Sequence, residues 1–295
     1  MTFSKKLSAR NFDAIGVERA RGKSFFFAPR GQKAGFFADG DGDFSAKLFF
    51  PENAKRLFFV RAKKSARRKI TLEISLEKNA EIIFITENFE KKGDETEFFL
   101  KTKIAKNAKI TILFFHFSDG KSRVAIENRA TGDDAAAEIA TAFFGKNAAE
   151  NKISVENIAA AKNFSGEIKM RAALSGAAFC EMAGAPTIEK YAEKTRNFLD
   201  QKTLLLGKNS KIRAFPILKV KNSKVAASHK SSLLRLFSDD FFYLKSRGIS
   251  EKTAKKLLQK SFLTAMTAKI PDKNLRGEIS EFAEKFFEKS AKKEF

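Results

Sequence analysis

The sequence predicts a mainly-β protein, a long run of short strands closed by a small C-terminal helical region. Three observations carry that prediction. Apolar residues alternate with a period of two through the middle of the chain, a Lys-Asn turn phrase recurs between the alternating stretches, and the period becomes helical near the end. They divide the chain into an N-terminal lead-in (1–22), a β core (23–230) and a helical region (231–295).

Residues 1 to about 20 give little periodic signal and read as a lead-in. Within the core, KITLEISLEKNAEIIFITENF (69–89) places Ile70, Leu72, Ile74 and Leu76 on one face, and the alternation resumes at Ile82, Phe84 and Thr86. That is the period of a strand with one buried face. DDAAAEIATAFFG (133–145) is ambiguous, because its alanines suit a helix as well as a strand. LEKNAEI (76–82), IAKNAKI (104–110), FGKNAAENKI (144–153), LGKNSKI (206–212) and VKNSKV (220–225) share one grammar: a strand end, Lys-Asn, a small residue and a new strand. Asn tolerates the left-handed backbone of a tight corner. The spacings, 28 residues from Asn79 to Asn107 and 40 from Asn107 to Asn147, exclude a regular propeller or leucine-rich repeat. An irregular stack of coils fits them. So does a sandwich with Asn turns.

After Ser228 the pattern turns helical. Ser238 is placed to cap a short helix starting at Asp239 and Asp240, with Phe241, Phe242 and Leu244 on its apolar face and Gly248 as its stop. Ser250 caps a second helix with Ala254, Leu257, Leu258, Phe262 and Ala265 at helical spacing. Pro271 starts a third, carrying Leu275, Ile279, Phe282 and Phe286. These helices read either as a cap on the end of the β stack or as a docking module.

Composition excludes several functions. The single Cys180 rules out an internal disulfide framework, and one Cys with two His is too little for a zinc or iron cage within one chain. His116, flanked by phenylalanines, reads as a strand histidine, and Cys180, among Ala, Gly and Phe, as an inert buried thiol. No phosphate loop is present, and catalysis by the chain alone is not expected. The N-terminus lacks the apolar stretch of a secretory signal and nothing reaches the length of a membrane span, so a cytoplasmic protein is expected. The net charge of +22 is densest in AKRLFFVRAKKSARRK (54–69), which makes a basic nucleic-acid-binding protein the alternative reading. No nucleic-acid motif accompanies that patch, and no specific nucleic-acid partner is expected.

SHKSSLLRLFSDDFFYLKSRGISEKTAKKLL, from Ser228 onward, resembles the C-terminal signature of the SufB/SufD family of iron-sulfur cluster assembly scaffold proteins. The matching residues are Ser228, His229, Asp239, Asp240, Phe242, Tyr243, Leu244, Ser246, Arg247, Gly248 and Ile249. Upstream, Phe164-Ser165-Gly166-Glu167-Ile168, Thr195, Gln201, Leu204-Leu205-Leu206 and Pro216 with Ile217-Leu218-Lys219-Val220 follow in the family's order. The resemblance implies a right-handed β-helix core flanked by helices. It implies a scaffold that is not itself an enzyme, pairs with a SufB-like paralogue or with itself, and docks a SufC-like ABC ATPase. The docking residues would be Asp239, Asp240, Phe242, Tyr243, Leu244, Arg247 and Gly248. With one cysteine the chain looks SufD-like. SufD-type members often read Cys-Ser-His where Ala227-Ser228-His229 stands here, so the histidine is kept and the thiol is not. His229 is then the expected cluster-assembly residue at the paired interface and a metal ligand shared with the partner. No cofactor is expected to stay bound to the isolated chain; an iron-sulfur cluster would be transient in the assembled complex. Set beside typical members the sequence is shorter, and little or none of their N-terminal helical domain is expected in it.

Overall fold

The computed structural model of the chain describes residues 16–21, 24–27, 33–39, 42–63, 66–235, 242 and 245–291. Two parallel ladders run through it. The first joins β4 (Gly42–Phe50), β6 (Arg67–Leu76), β8 (Glu95–Ile104), β10 (Lys121–Ala130), β12 (Glu150–Ala159), β14 (Phe179–Ile188) and β16 (Lys211–Pro216), with the short β17 (Lys219–Val220) also on β14. The second joins β3 (Lys33–Asp39), β5 (Lys55–Lys63), β7 (Glu81–Glu90), β9 (Lys109–Ser118), β11 (Ala136–Gly145), β13 (Ser165–Leu174), β15 (Arg196–Leu205) and β18 (Ala226–Arg235). Successive strands alternate between the sheets and each pairs with the strand one coil later, which makes a β-helix of about seven turns. Antiparallel strands β1 (Gly16–Arg21, on β4) and β2 (Ser24–Phe27, on β3) end the ladders on the N-terminal side. Part of the expected lead-in is therefore strand.

The corners explain the irregular Asn spacing. Asn53, Asn79, Asn107, Asp134, Asn163 and Lys194 turn the chain from the first sheet to the second, all with positive φ, at intervals of 26, 28, 27, 29 and 31 residues. Asn147 turns it back on the opposite side. The Lys-Asn phrase thus marks two kinds of corner, and the 40-residue gap is one coil and a half. Corner side chains stack along the axis: Asn79 Nδ2 donates to Asn53 Oδ1 at 2.9 Å, and Asn107 Nδ2 to Asn79 Oδ1 at 3.2 Å. Each such bond recompenses an αL residue that a Cβ makes costly.

Inward-facing residues build the core in vertical columns, because in-register parallel strands stack like on like. Phe58, Phe84, Ile112, Ile139, Ile168 and Leu199 form one column, all buried. Buried polar lines also run along the stack, and one of them changes sheet. Thr102 Oγ1 donates to Asn128 Oδ1 (2.5 Å), Asn128 Nδ2 to Asn157 Oδ1 (2.7 Å), and Asn157 Nδ2 to Asn197 Oδ1 (3.2 Å), crossing from the first sheet to the second. The crossing passes over Gly166. A Cβ there would lie 2.4 Å from Asn197 Oδ1 and 2.6 Å from Asn157 Nδ2, so only glycine leaves room.

Two helices with described bounds follow, α1 (Glu251–Thr267) and α2 (Lys273–Ala291). Ser250 caps α1 as expected, its Oγ accepting from Thr253 N at 3.2 Å. α2 starts at Lys273 rather than at Pro271, and Asp272 caps it, its Oδ1 accepting from Asn274 N and Leu275 N at 2.9 and 3.0 Å. The buried row of α1 runs through Ala254, Leu258, Phe262 and Met266, leaving Leu257 and Ala265 outside. Neither helix covers an end of the stack. Both lie along the outer face of the second sheet, on Leu113, Phe115, Phe117, Ala140, Ala142 and Phe144. Phe89, Phe117 and Phe144 stack with centroids 5.4 and 5.2 Å apart, and Phe282 and Phe286 meet Phe117 edge-on. That outer alanine pair settles the ambiguous 133–145 segment as strand: Ala140 and Ala142 are small so that helices can approach. Charged pairs rim the contact, Lys269 with Glu138 and Arg61 with both Glu87 and Glu278. Among the described residues no helix is long and apolar enough to cross a membrane.

Candidate functional site at the last turn

β18 is built from AASHKSSLLR and extends to Arg235, past the expected core boundary at residue 230. Its polar sequence does not read as a strand by itself; ten consecutive register pairs to β15 make it one. His229 is in register with Leu199, Ser231 with Gln201 and Leu233 with Thr203. Leu199 and Gln201 face the interior, so alternation turns His229, Ser231 and Leu233 to the same side, on top of the stack. The apolar column that starts at Phe58 therefore ends in an exposed imidazole. Ladders end here: β16 and β18 each have a strand on one side only among the described residues.

On the first sheet Pro216 ends β16, since proline lacks the N–H a ladder needs. Ile217 N still reaches Gly184 O at 2.8 Å, and pairing resumes only at Lys219–Val220. The guanidinium of Arg235 closes the turn by donating to the carbonyls of Gly207, Lys208 and Ser210 at 3.4, 3.2 and 3.0 Å. Phe215, Ile217, Leu218, Val220, Leu233 and Leu234 are left exposed, Leu233 by 58 %.

Elsewhere the expected residues scatter. Cys180 is fully buried one coil below, in register with Ile212, and burial pushes its thiol well above the usual range, which suits an inert side chain. His116 also lies inside, its Nε2 2.9 Å from Ser122 Oγ and 3.0 Å from Glu90 Oε2. Phe242 is 75 % exposed, and Gly248 takes φ +78° with its N–H on Lys245 O, as a helix stop should. Arg247 is exposed as well. Asp239, Asp240, Tyr243 and Leu244 lie outside the described residues. Among the described residues no three His, Cys, Asp or Glu side chains are grouped to hold a metal ion.

The basic run 54–69 does not form one face. Arg68 is buried on the inward side, Arg61 lies under α2 against Glu87 and Glu278, and Lys55 and Arg67 meet Glu81 and Glu95. Sequence reading missed Arg235 and the buried Asn line, whose signal appears only when residues 25 to 40 apart are compared.

Residues 49–262 match the family described as SUF system FeS cluster assembly, SufBD core domain. The chain belongs to the SufBD core family. It is 27 % identical over 96 residues to the iron-sulfur cluster assembly protein SufD of Escherichia coli (32 % of this chain, 23 % of that protein) and 24 % identical over 148 residues to SufD of Bacillus subtilis (50 % and 34 %). To a SufBD family protein of Pyrococcus horikoshii it is 31 % identical over 80 residues (27 % and 18 %). The chain thus covers only about a fifth to a third of these SufBD relatives. The SufBD match spans most of the β-helix and the first part of α1 and ends before α2.

Proposed function

We propose that this SufBD core chain is a non-catalytic scaffold subunit of an iron-sulfur cluster assembly complex, working in the cytoplasm. Its last turn pairs with a SufB-like chain, and its helical region docks a SufC-like ABC ATPase around Phe242 and Arg247. His229 contributes an imidazole to the paired interface, where it ligates iron of a nascent cluster together with the partner. The cluster is cargo there, not a resident cofactor of this chain.

The observation that carries this reading is the position of His229, exposed on top of the terminal column in a chain of the SufBD core family. An imidazole so placed can ligate iron or move a proton beside a partner's thiolate. Dispersal of the 54–69 cations over inward and outward faces counts against the nucleic-acid alternative.

Reconstitution tests it. His229→Ala is expected to keep the fold and the pairing and to lower cluster formation about tenfold, the loss of one transition-metal or proton-transfer group. An unchanged rate reduces His229 to a surface residue. Phe242→Ser is the matching test of docking, and retained ATPase binding removes that assignment. Deleting residues 231–295 is a poorer test, since it strips α1 and α2 from the aromatic face they cover.

A further inference from the structure

Ion pairs run between successive turns of the stack. A cation on one turn meets a carboxylate on the next in Lys47–Glu73 (2.8 Å), Lys121–Glu150 (3.3 Å), Lys152–Glu181 (3.7 Å) and Arg171–Asp200 (2.7 Å). The last turn breaks this pattern. Between Asp200 and Asp239 the sequence contains no aspartate or glutamate, yet it carries nine lysines and arginines. Basic residues are only slightly denser there, nine in 38 residues against 57 in the whole chain of 295; the larger difference is the missing acid. Arg213, Lys221 and Lys230 reach back to Glu181, Glu189 and Asp200 one turn below, at 3.4, 2.9 and 3.7 Å, and Lys219 reaches Glu156 two turns below, at 3.0 Å. Nothing on the last turn offers a carboxylate to a following one.

We propose that the last turn accepts a protein partner whose matching edge is acidic, and rejects a second copy of this chain. This rests on the pairing read under Proposed function and names the chemistry of the partner. The surface combines two strand edges with nothing beside them among the described residues, exposed apolar side chains at Phe215, Leu218, Leu233 and Leu234, and a positive field that incoming acids do not find opposed. An acidic strand continues both the backbone ladder and the ion-pair ladder. Two copies would instead bring the eight cations from Lys208 to Arg235 against the same eight, a like-charge apposition that selects against self-pairing. A nucleic acid matches the charge but leaves the apolar residues and the strand edges uncovered.

The test uses the full chain and a copy carrying K208E, K211E, R213E, K221E, K224E and K230E as the acidic probe, followed by sedimentation velocity. At about 50 mM salt the unmodified chain is expected to stay monomeric, and the mixture to form a 1:1 pair at least about tenfold tighter, weakening about tenfold as salt rises. A copy with glutamine at the same six positions guards against misfolding of the first; it should self-associate more tightly than the unmodified chain. Self-pairing of the unmodified chain as tight as the mixture overturns the charge rule but leaves the pairing reading standing. No pairing in the mixture and none by the glutamine copy overturns both. Tighter capture of a DNA or RNA duplex than of the acidic copy replaces the protein partner with a nucleic acid.

Discussion

Two apolar surfaces of the stack meet different fates. The outer face of the second sheet presents Phe89, Phe117 and Phe144, and the chain covers it with its own α1 and α2. The last turn presents Phe215, Leu218, Leu233 and Leu234, and these stay exposed. Both surfaces arise from the same alternation of in and out along a strand. What differs is the partner: a face stacked with aromatics over several turns offers enough area for helices of this chain, whereas a terminal edge offers hydrogen-bonding backbone and charge that only another strand can use.

Substitutions at the two surfaces should therefore separate stability from assembly. Phe117→Ala opens a cavity where Phe89, Phe144, Phe282 and Phe286 meet, and is expected to cost about 3–5 kcal/mol in chemical denaturation. A loss below about 1 kcal/mol would mean that the helices do not depend on the aromatic stack. Arg235→Met comes next. It removes donors to three carbonyls that tie the end of β18 to the preceding corner, and a loss of about 1–3 kcal/mol is expected, with faster amide exchange confined to β18. Uniform exchange along the chain would deny the local role. Leu233→Ser at the exposed edge should shift stability by no more than about 0.5 kcal/mol while weakening association with the acidic probe; a large thermal shift would show that this leucine already packs inside the chain.

The smallest effect is one of pH. Burial tends to raise the carboxyl of Glu156, but hydrogen bonds from Thr187 and Lys219, with the charges of Lys219 and Arg129, outweigh it and hold the group below its ordinary range. A depressed folded value means stability that is present above the unfolded value of about 4.3 and lost as pH falls through the folded one. The melting temperatures of the native chain and Glu156→Gln should thus differ slightly at neutral pH and converge below about pH 4. Because Lys219 belongs to the last turn, a gap that persists in acid would place its anchoring elsewhere.

Much of this was legible from residue order. Alternation at Ile70, Leu72, Ile74 and Leu76 marks a strand wherever that strand is placed, Asn79 and Asn107 mark corners, and Ser250 marks a helix start, because each is a local preference of backbone or side chain. The SHKSSLL stretch pointed to His229 through resemblance alone. Its strand was not legible, since Ser, His and Lys have no apolar alternation to display and are held by pairing to β15.

Sequence by itself determined the strands, the corner chemistry, the helix caps and the acid-free segment between Asp200 and Asp239, all properties of neighbours along the chain. Tertiary structure alone decided on which side of the stack each Asn corner lies, that Arg68 turns inward while Arg61 lies beneath α2, that the helices cover a flank and not an end, and that His229 crowns a column beginning at Phe58. Those outcomes depend on which residues 26 to 32 positions apart come into register, and register is set by the packing of whole turns.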